Sequence, residues 1–128
     1  MEIKNLKDLK NYIMDYNGHI ESEMLSPIYD GKKSFYDKAE VKKIYTIDND
    51  VVLLYSYNTL VCCIIYNNDK VKYILNTDIT SDLLFSNTTL RHLKEFLIQN
   101  IDVLRLSHLI DGKITKSDII KNDNKILN

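Results

Sequence analysis

The stretch SNTTLRHLKEFLIQN, residues 86–100, places Arg91, one of two arginines, beside His92, one of three histidines. An arginine can grip a carboxylate or phosphate through paired hydrogen bonds, and a histidine can exchange a proton near neutral pH. Glu95 follows four residues after Arg91, a spacing that allows an ion pair along one helix face, and Gln99 extends the same row. Arg91, His92, Glu95 and Gln99 are therefore read as a polar contact face, with arginine the residue most suited to anchor a partner. A second arrangement with chemical potential pairs Cys62 or Cys63, as nucleophile, with His92 as base. Both cysteines lie in the apolar run LVCCIIY, where burial would raise the thiol pKa and exclude substrate, so they read as core residues on opposite faces of a strand, reduced and slow to react. Nine tyrosines form a third group, and Tyr55, Tyr57, Tyr66 and Tyr73 fall in extended segments. Aromatic rings on an open sheet face can stack nucleic-acid bases, with the lysines of GKK (31–33) and VKK (41–43) on the phosphates.

Other site chemistries find no pattern to rest on. His19, His92 and His108 are scattered, without the close spacing of metal ligands, so no metal or cofactor is expected. DND at 48–50 resembles the opening of a calcium loop but lacks its glycine and distal glutamate, and it reads as a turn. With three glycines in the chain, neither phosphate-binding glycine loops nor a nucleophile elbow is present as a motif. No enzymatic activity is expected.

The elements that must position these residues follow from periodicity. NLKDLKNYIMDYNG reads as an amphipathic helix within residues 1–18: Asn5 caps it, Leu6, Leu9, Ile13 and Tyr16 form its apolar stripe, and Gly18 ends it. Residues 19–33 read as a loop. From residue 39 the pattern becomes extended, in AEVKKIYTI, VVLLYSY, TLVCCIIY and KVKYILN, with turn residues between, which predicts an antiparallel meander. LLF at 83–85 is a candidate last strand, completing four to five strands within 39–85. VVLLY and VCCII are apolar on both alternations, so the middle strands need cover on both faces, from the two helices or from a second copy of the chain. Residues 86–100 then form a helix capped by Ser86, with Leu90, Leu93, Leu97 and Ile101 inward, Phe96 on the flank, and the Arg91 row facing water. Residues 101–112 fit strand or helix equally. SDIIKN suggests a short helix capped by Ser117, and the tail from Asp123 reads as frayed.

At 128 residues the whole chain, 1–128, reads as one α+β domain able to bury a core unaided. A net charge of −1 exerts no strong pull on nucleic acid or anionic membrane. No apolar run is long enough to span a bilayer, and MEIKNLKDLK is too polar for a secretory signal, so a cytoplasmic protein without membrane contact is expected.

Three blocks, GKKSFYDKAEV (31–41), LLYSYNTLVCCI (53–64) and SNTTLRHLKEFLIQN (86–100), resemble a family of short uncharacterised proteins carried by phages and mobile elements of low-GC Firmicutes. The resemblance adds Tyr57 to the candidate binding residues. It implies a small non-catalytic accessory protein that binds a host protein, with inhibition of a host defence system as its sharpest form. The alternatives are a nucleic-acid-binding module using the sheet tyrosines and lysines, and a protein that sequesters a small ligand.

Overall fold

A computed structural model describes residues 2–128. Helix α1 (Leu6–Asp15) begins at Asn5, whose side chain accepts from the Asp8 amide. It stops three residues before Gly18, so that glycine is not its cap. A Cβ at Gly18 would come within 2.5 Å of the Tyr16 hydroxyl, which donates to the His19 carbonyl, so a larger residue there would displace the Tyr16 side chain.

Five antiparallel strands form one sheet in the order β1-β2-β3-β4-β5: β1 (Glu21–Met24), β2 (Ala39–Tyr45), β3 (Asp50–Ser56), β4 (Thr59–Asn67) and β5 (Lys70–Leu75). The expected meander is present, but it runs from Glu21 to Leu75. Its fifth strand comes from the segment read as loop, because ESEM is wholly exposed and polar apart from Met24 and carries no alternation to reveal it. Leu83 to Phe85, read as a last strand, instead ends a one-turn helix, α2 (Ser81–Leu84), with Phe85 as its C-cap and Thr80 capping its start through the Leu83 amide.

The doubly apolar middle strands are explained by cover on both faces. Val51, Leu53, Cys63 and Ile65 pack with Ile44 and Ile74 against Leu9 of α1. Val52, Leu54, Cys62 and Ile64 pack with Val41, Tyr73 and Leu75 against Leu93, Phe96 and Leu97 of α3 (Asn87–Asn100). Cys62 and Cys63 thus face opposite layers, as their strand position requires. The register shifts between Leu54 and Tyr55, which pair with Cys62 and Leu60, leaving Val61 as an extra residue in β4.

The ambiguous segment is a helix: α4 (Asp102–Asp111) follows α3 with only Ile101 between, and α5 (Lys116–Lys121) comes next. The cap of α5 is Thr115, not Ser117, in a reciprocal box with Asp118. The tail is not frayed but docks beside β5: Asn124 and Leu127 amides donate to the Tyr73 and Val71 carbonyls, and the Leu75 amide donates to Asp123. Among the described residues no helix is long and apolar enough to cross a membrane.

Candidate functional site

Helix α3 starts at Ser86, whose hydroxyl accepts from the Thr89 amide, and lays its Leu93–Phe96–Leu97 stripe on the sheet. Arg91, His92, Glu95 and Gln99 do occupy the opposite side, as the wheel predicts. The crossover between β1 and β2 (residues 25–38) folds over that side, so that Arg91 and Gln99 are half-buried and His92 and Glu95 are sealed. His92 and Glu95 are each 1% exposed.

Arg91, Glu95 and Gln99 hydrogen-bond to the crossover, and His92 to the end of β3. Glu95 Oε1 accepts from the Tyr29 and Asp30 amides, at 2.9 and 2.8 Å, so one carboxylate oxygen satisfies two amides that belong to no regular element. Its Oε2 accepts from Gln99, whose side-chain amide also donates to the Ser26 carbonyl. Arg91 pairs with Asp30, through Nε at 3.0 Å and through Nη2, rather than with Glu95. Hydrogen bonding from the guanidinium holds the Asp30 carboxyl below its usual range, and the same bond raises the Arg91 pKa. His92 Nδ1 lies 2.8 Å from Ser56 Oγ, which also meets Thr89 Oγ1 at 3.3 Å. Burial, the leading cause, followed by the Arg91 charge, lowers the His92 pKa, so the ring is neutral at pH 7.

Beyond His92 the surface opens into a cleft of about 220 Å³ lined by Lys32, Phe35, Tyr36, Lys38, Tyr57 and Arg91, with Ser34, Thr88 and His92. Phe35 meets the His92 ring edge-on at 4.6 Å, and Tyr57 lies near-parallel to it at 6.0 Å. The Tyr57 amide donates to the Lys38 carbonyl, fastening the β3–β4 turn to the end of the crossover. Arg91, His92 and Tyr57 are thus brought together at one opening, whereas Glu95 and Gln99 sit behind it as supports. The three blocks quoted above, distant in sequence, converge here. Sequence reasoning missed Asp30, Ser56 and Thr89: short polar residues in a turn, a strand end and a helix start carry no signal of the partners they will meet.

The remaining candidates have other employment. Tyr66 donates to the Asn100 carbonyl and Tyr73 to the Ile119 carbonyl. Burial pushes the Tyr66 pKa up to about 12 and raises that of Tyr73. Tyr55 carries the Lys42 ammonium over its ring and packs on the α1 side. Helices therefore cover both sheet faces, leaving no open face of stacked tyrosines among the described residues. Burial likewise raises both thiol pKa values. Among the described residues no group of three or more His, Cys, Asp or Glu is placed to hold a metal ion.

A second exposed feature lies on α4. Val103, Leu106, Leu109 and Ile110 fall within an arc of about 120° on its outer side, and all four are exposed, Ile110 to 77%. The inner side is held by Leu104 in the core and by Arg105, which donates to the Ile98 and Gln99 carbonyls.

These features define a small three-layer α+β domain, a five-stranded antiparallel meander between one helix and a group of helices. The chain belongs to a family of unknown function, DUF8033, whose model matches residues 24–107 and so includes every residue of the cleft. No curated protein and no solved structure matches the chain.

Proposed function

We propose that this chain is a non-catalytic binding protein whose partner is another protein, engaged through the outer face of α4. The observation that carries the reading is the run of four exposed aliphatic side chains at 103, 106, 109 and 110. A helix that needed only to close the core would show polar residues there, and contiguous exposed apolar surface marks contact sites. The stripe is about 10 Å long and one helix wide, with Asp102 and Asp111 at its two ends. It fits an amphipathic partner helix with basic residues flanking its apolar stripe.

The non-catalytic part of the reading rests on the cysteines and the histidine. Both thiols are sealed in the sheet. Ser56 and His92 stand at the separation of a nucleophile and base, but Ser56 is buried and no carboxylate orients the far nitrogen of the ring among the described residues. The extension to an accessory protein of a phage or mobile element, cytoplasmic and directed at a host defence protein, is supported by the resemblance of the three blocks.

The test uses the full chain as bait in host lysate, with and without nuclease, beside Leu106→Glu/Ile110→Glu. A nuclease-resistant partner captured by the parent and lost by the variant, at unchanged melting temperature, is expected. Capture that survives the double substitution, or disappears with nuclease, overturns the reading. So does a dimer of the chain that the same substitution dissociates, because the stripe would then be a self-contact.

A further inference from the structure

The cleft in front of His92 has a charge unlike the rest of the molecule. The chain carries 18 acidic and 17 basic residues, yet the cleft lining has Lys32, Lys38 and Arg91 and no carboxylate. Neither lysine forms a salt bridge among the described residues. Arg91 uses Nε and Nη2 on Asp30, and its Nη1 has no hydrogen-bond partner among them. His92, fixed at Nδ1 by Ser56, likewise keeps Nε2 without a partner, and that atom is not sealed in the core. Unpaired donors gathered around one opening suit a compact anion.

The rim adds a second requirement. Tyr36 and Tyr57 are 73% and 52% exposed, so burial does not account for them, and both hold left-handed backbone, at φ 54° and 51°. Tyr57 and Asn58 are the two central residues of the β3–β4 hairpin turn, where both φ values are positive. Asn-Gly is favoured at such a turn, and tyrosine at its first position costs about 1 kcal/mol. Tyr36 is held in the same way beside Asp37, also at positive φ. Two exposed rings kept in disfavoured conformations at one opening are explained by a flat ligand group to stack on.

We propose that this cleft binds a mononucleotide, with the phosphate among Lys32, Lys38, Arg91 Nη1 and His92 Nε2 and the base on the tyrosines of the rim. A volume of about 220 Å³ has room for a phosphate and sugar, which leaves the base at the mouth where Tyr36 and Tyr57 stand. The site is separate from the α4 face and does not depend on what that face binds.

Adenosine and uridine monophosphate, adenosine, inorganic phosphate and a ten-nucleotide single strand are titrated into the full chain by calorimetry, with amide chemical shifts followed in parallel. Saturable binding of a monophosphate, about tenfold or more tighter than phosphate or nucleoside alone, is expected, with shifts at residues 32–38, 57–58 and 88–92. Lys32→Ala/Lys38→Ala should weaken it at least about tenfold. Tyr57→Asn should weaken it without lowering the melting temperature, since asparagine suits the turn. No saturation by about 10 mM, a weak limit for any small ligand, overturns the proposal. So do equal affinity for inorganic phosphate and indifference to the lysine substitutions. Tighter binding of the single strand with a steep salt dependence also overturns it, by making the cleft part of a nucleic-acid track.

Discussion

The two faces of the sheet are built on different rules. Towards α1 the buried cluster is wholly apolar: Ile3, Leu9, Ile44, Val51, Leu53, Cys63, Ile65 and Ile74. Towards α3 an apolar layer of similar residues is joined by Ser56, Thr89, His92 and Glu95, four of the six buried polar side chains among the described residues. The difference lies in what covers each face. A lone helix satisfies its own backbone, so α1 needs only grease beneath it. On the other side α3 is itself covered by an irregular crossover, and the buried Glu95 carboxylate supplies the acceptor for two of its amides, while Ser56, Thr89 and His92 bond to one another. The cleft lies at the His92 end of this polar group. Polar burial in this molecule therefore marks where a loop is held and a surface is shaped.

The largest expected effect concerns both faces at once. Because Cys62 and Cys63 are sealed in opposite layers, thiol labelling of the native protein should proceed only through unfolding, slower than in denaturant by a factor of about 10³ or more. Fast labelling of Cys63 alone would show that α1 leaves its face transiently, and of Cys62 alone that the α3 side does.

The next test compares the rules directly. Leu9→Ala should cost about 3 kcal/mol by opening a cavity, read as a uniform loss in denaturant unfolding. Glu95→Ala should cost about 2 kcal/mol by stranding two amides, and hydrogen exchange should rise first across residues 29–38. A uniform response to Glu95→Ala would mean that the crossover is part of the core and not a clamped loop.

His92 gives the faces different pH behaviour. Its folded pKa lies below the unfolded value of about 6.5. The unfolded chain then binds the extra proton, so this contribution is fully present above about pH 6.5 and is lost as pH falls towards the folded value. Stability should decline with acid in that window, and His92→Gln should flatten the decline. Persistence of the full slope in the variant would assign it to another group.

The smallest effect belongs to the α1 face. Tyr12 Oη is buried without a hydrogen-bond partner among the described residues, the one polar atom in that layer's surroundings left unsatisfied. Tyr12→Phe should raise stability by up to about 1 kcal/mol. A loss would mean that the hydroxyl has a partner and that the layer is less dry than its residues suggest.

How much was legible divides along the same line. The α1 stripe, the Asn5 and Ser86 caps, the doubly apolar middle strands and the opposed cysteines were all readable, because each depends on neighbours within a few residues in sequence. β1 was not readable, since an exposed edge strand has no buried side to alternate. The helical wheel sorted α3 correctly into two sides and still misjudged Arg91, His92, Glu95 and Gln99. A wheel records direction, not what lies in that direction. The partners that decided the matter, Ser26, Tyr29, Asp30 and Ser56, are between 36 and 73 residues away.

By itself the sequence determined the class of fold and the two apolar layers, because hydrophobic periodicity and capping act over one or two turns of chain. Only the tertiary structure decided that a polar row becomes a buried clamp, that three separate blocks meet at a cation-lined opening, and that α4 turns an apolar side outward. Those outcomes depend on which distant segment lies over each surface, and contacts at long sequence separation leave no local signature.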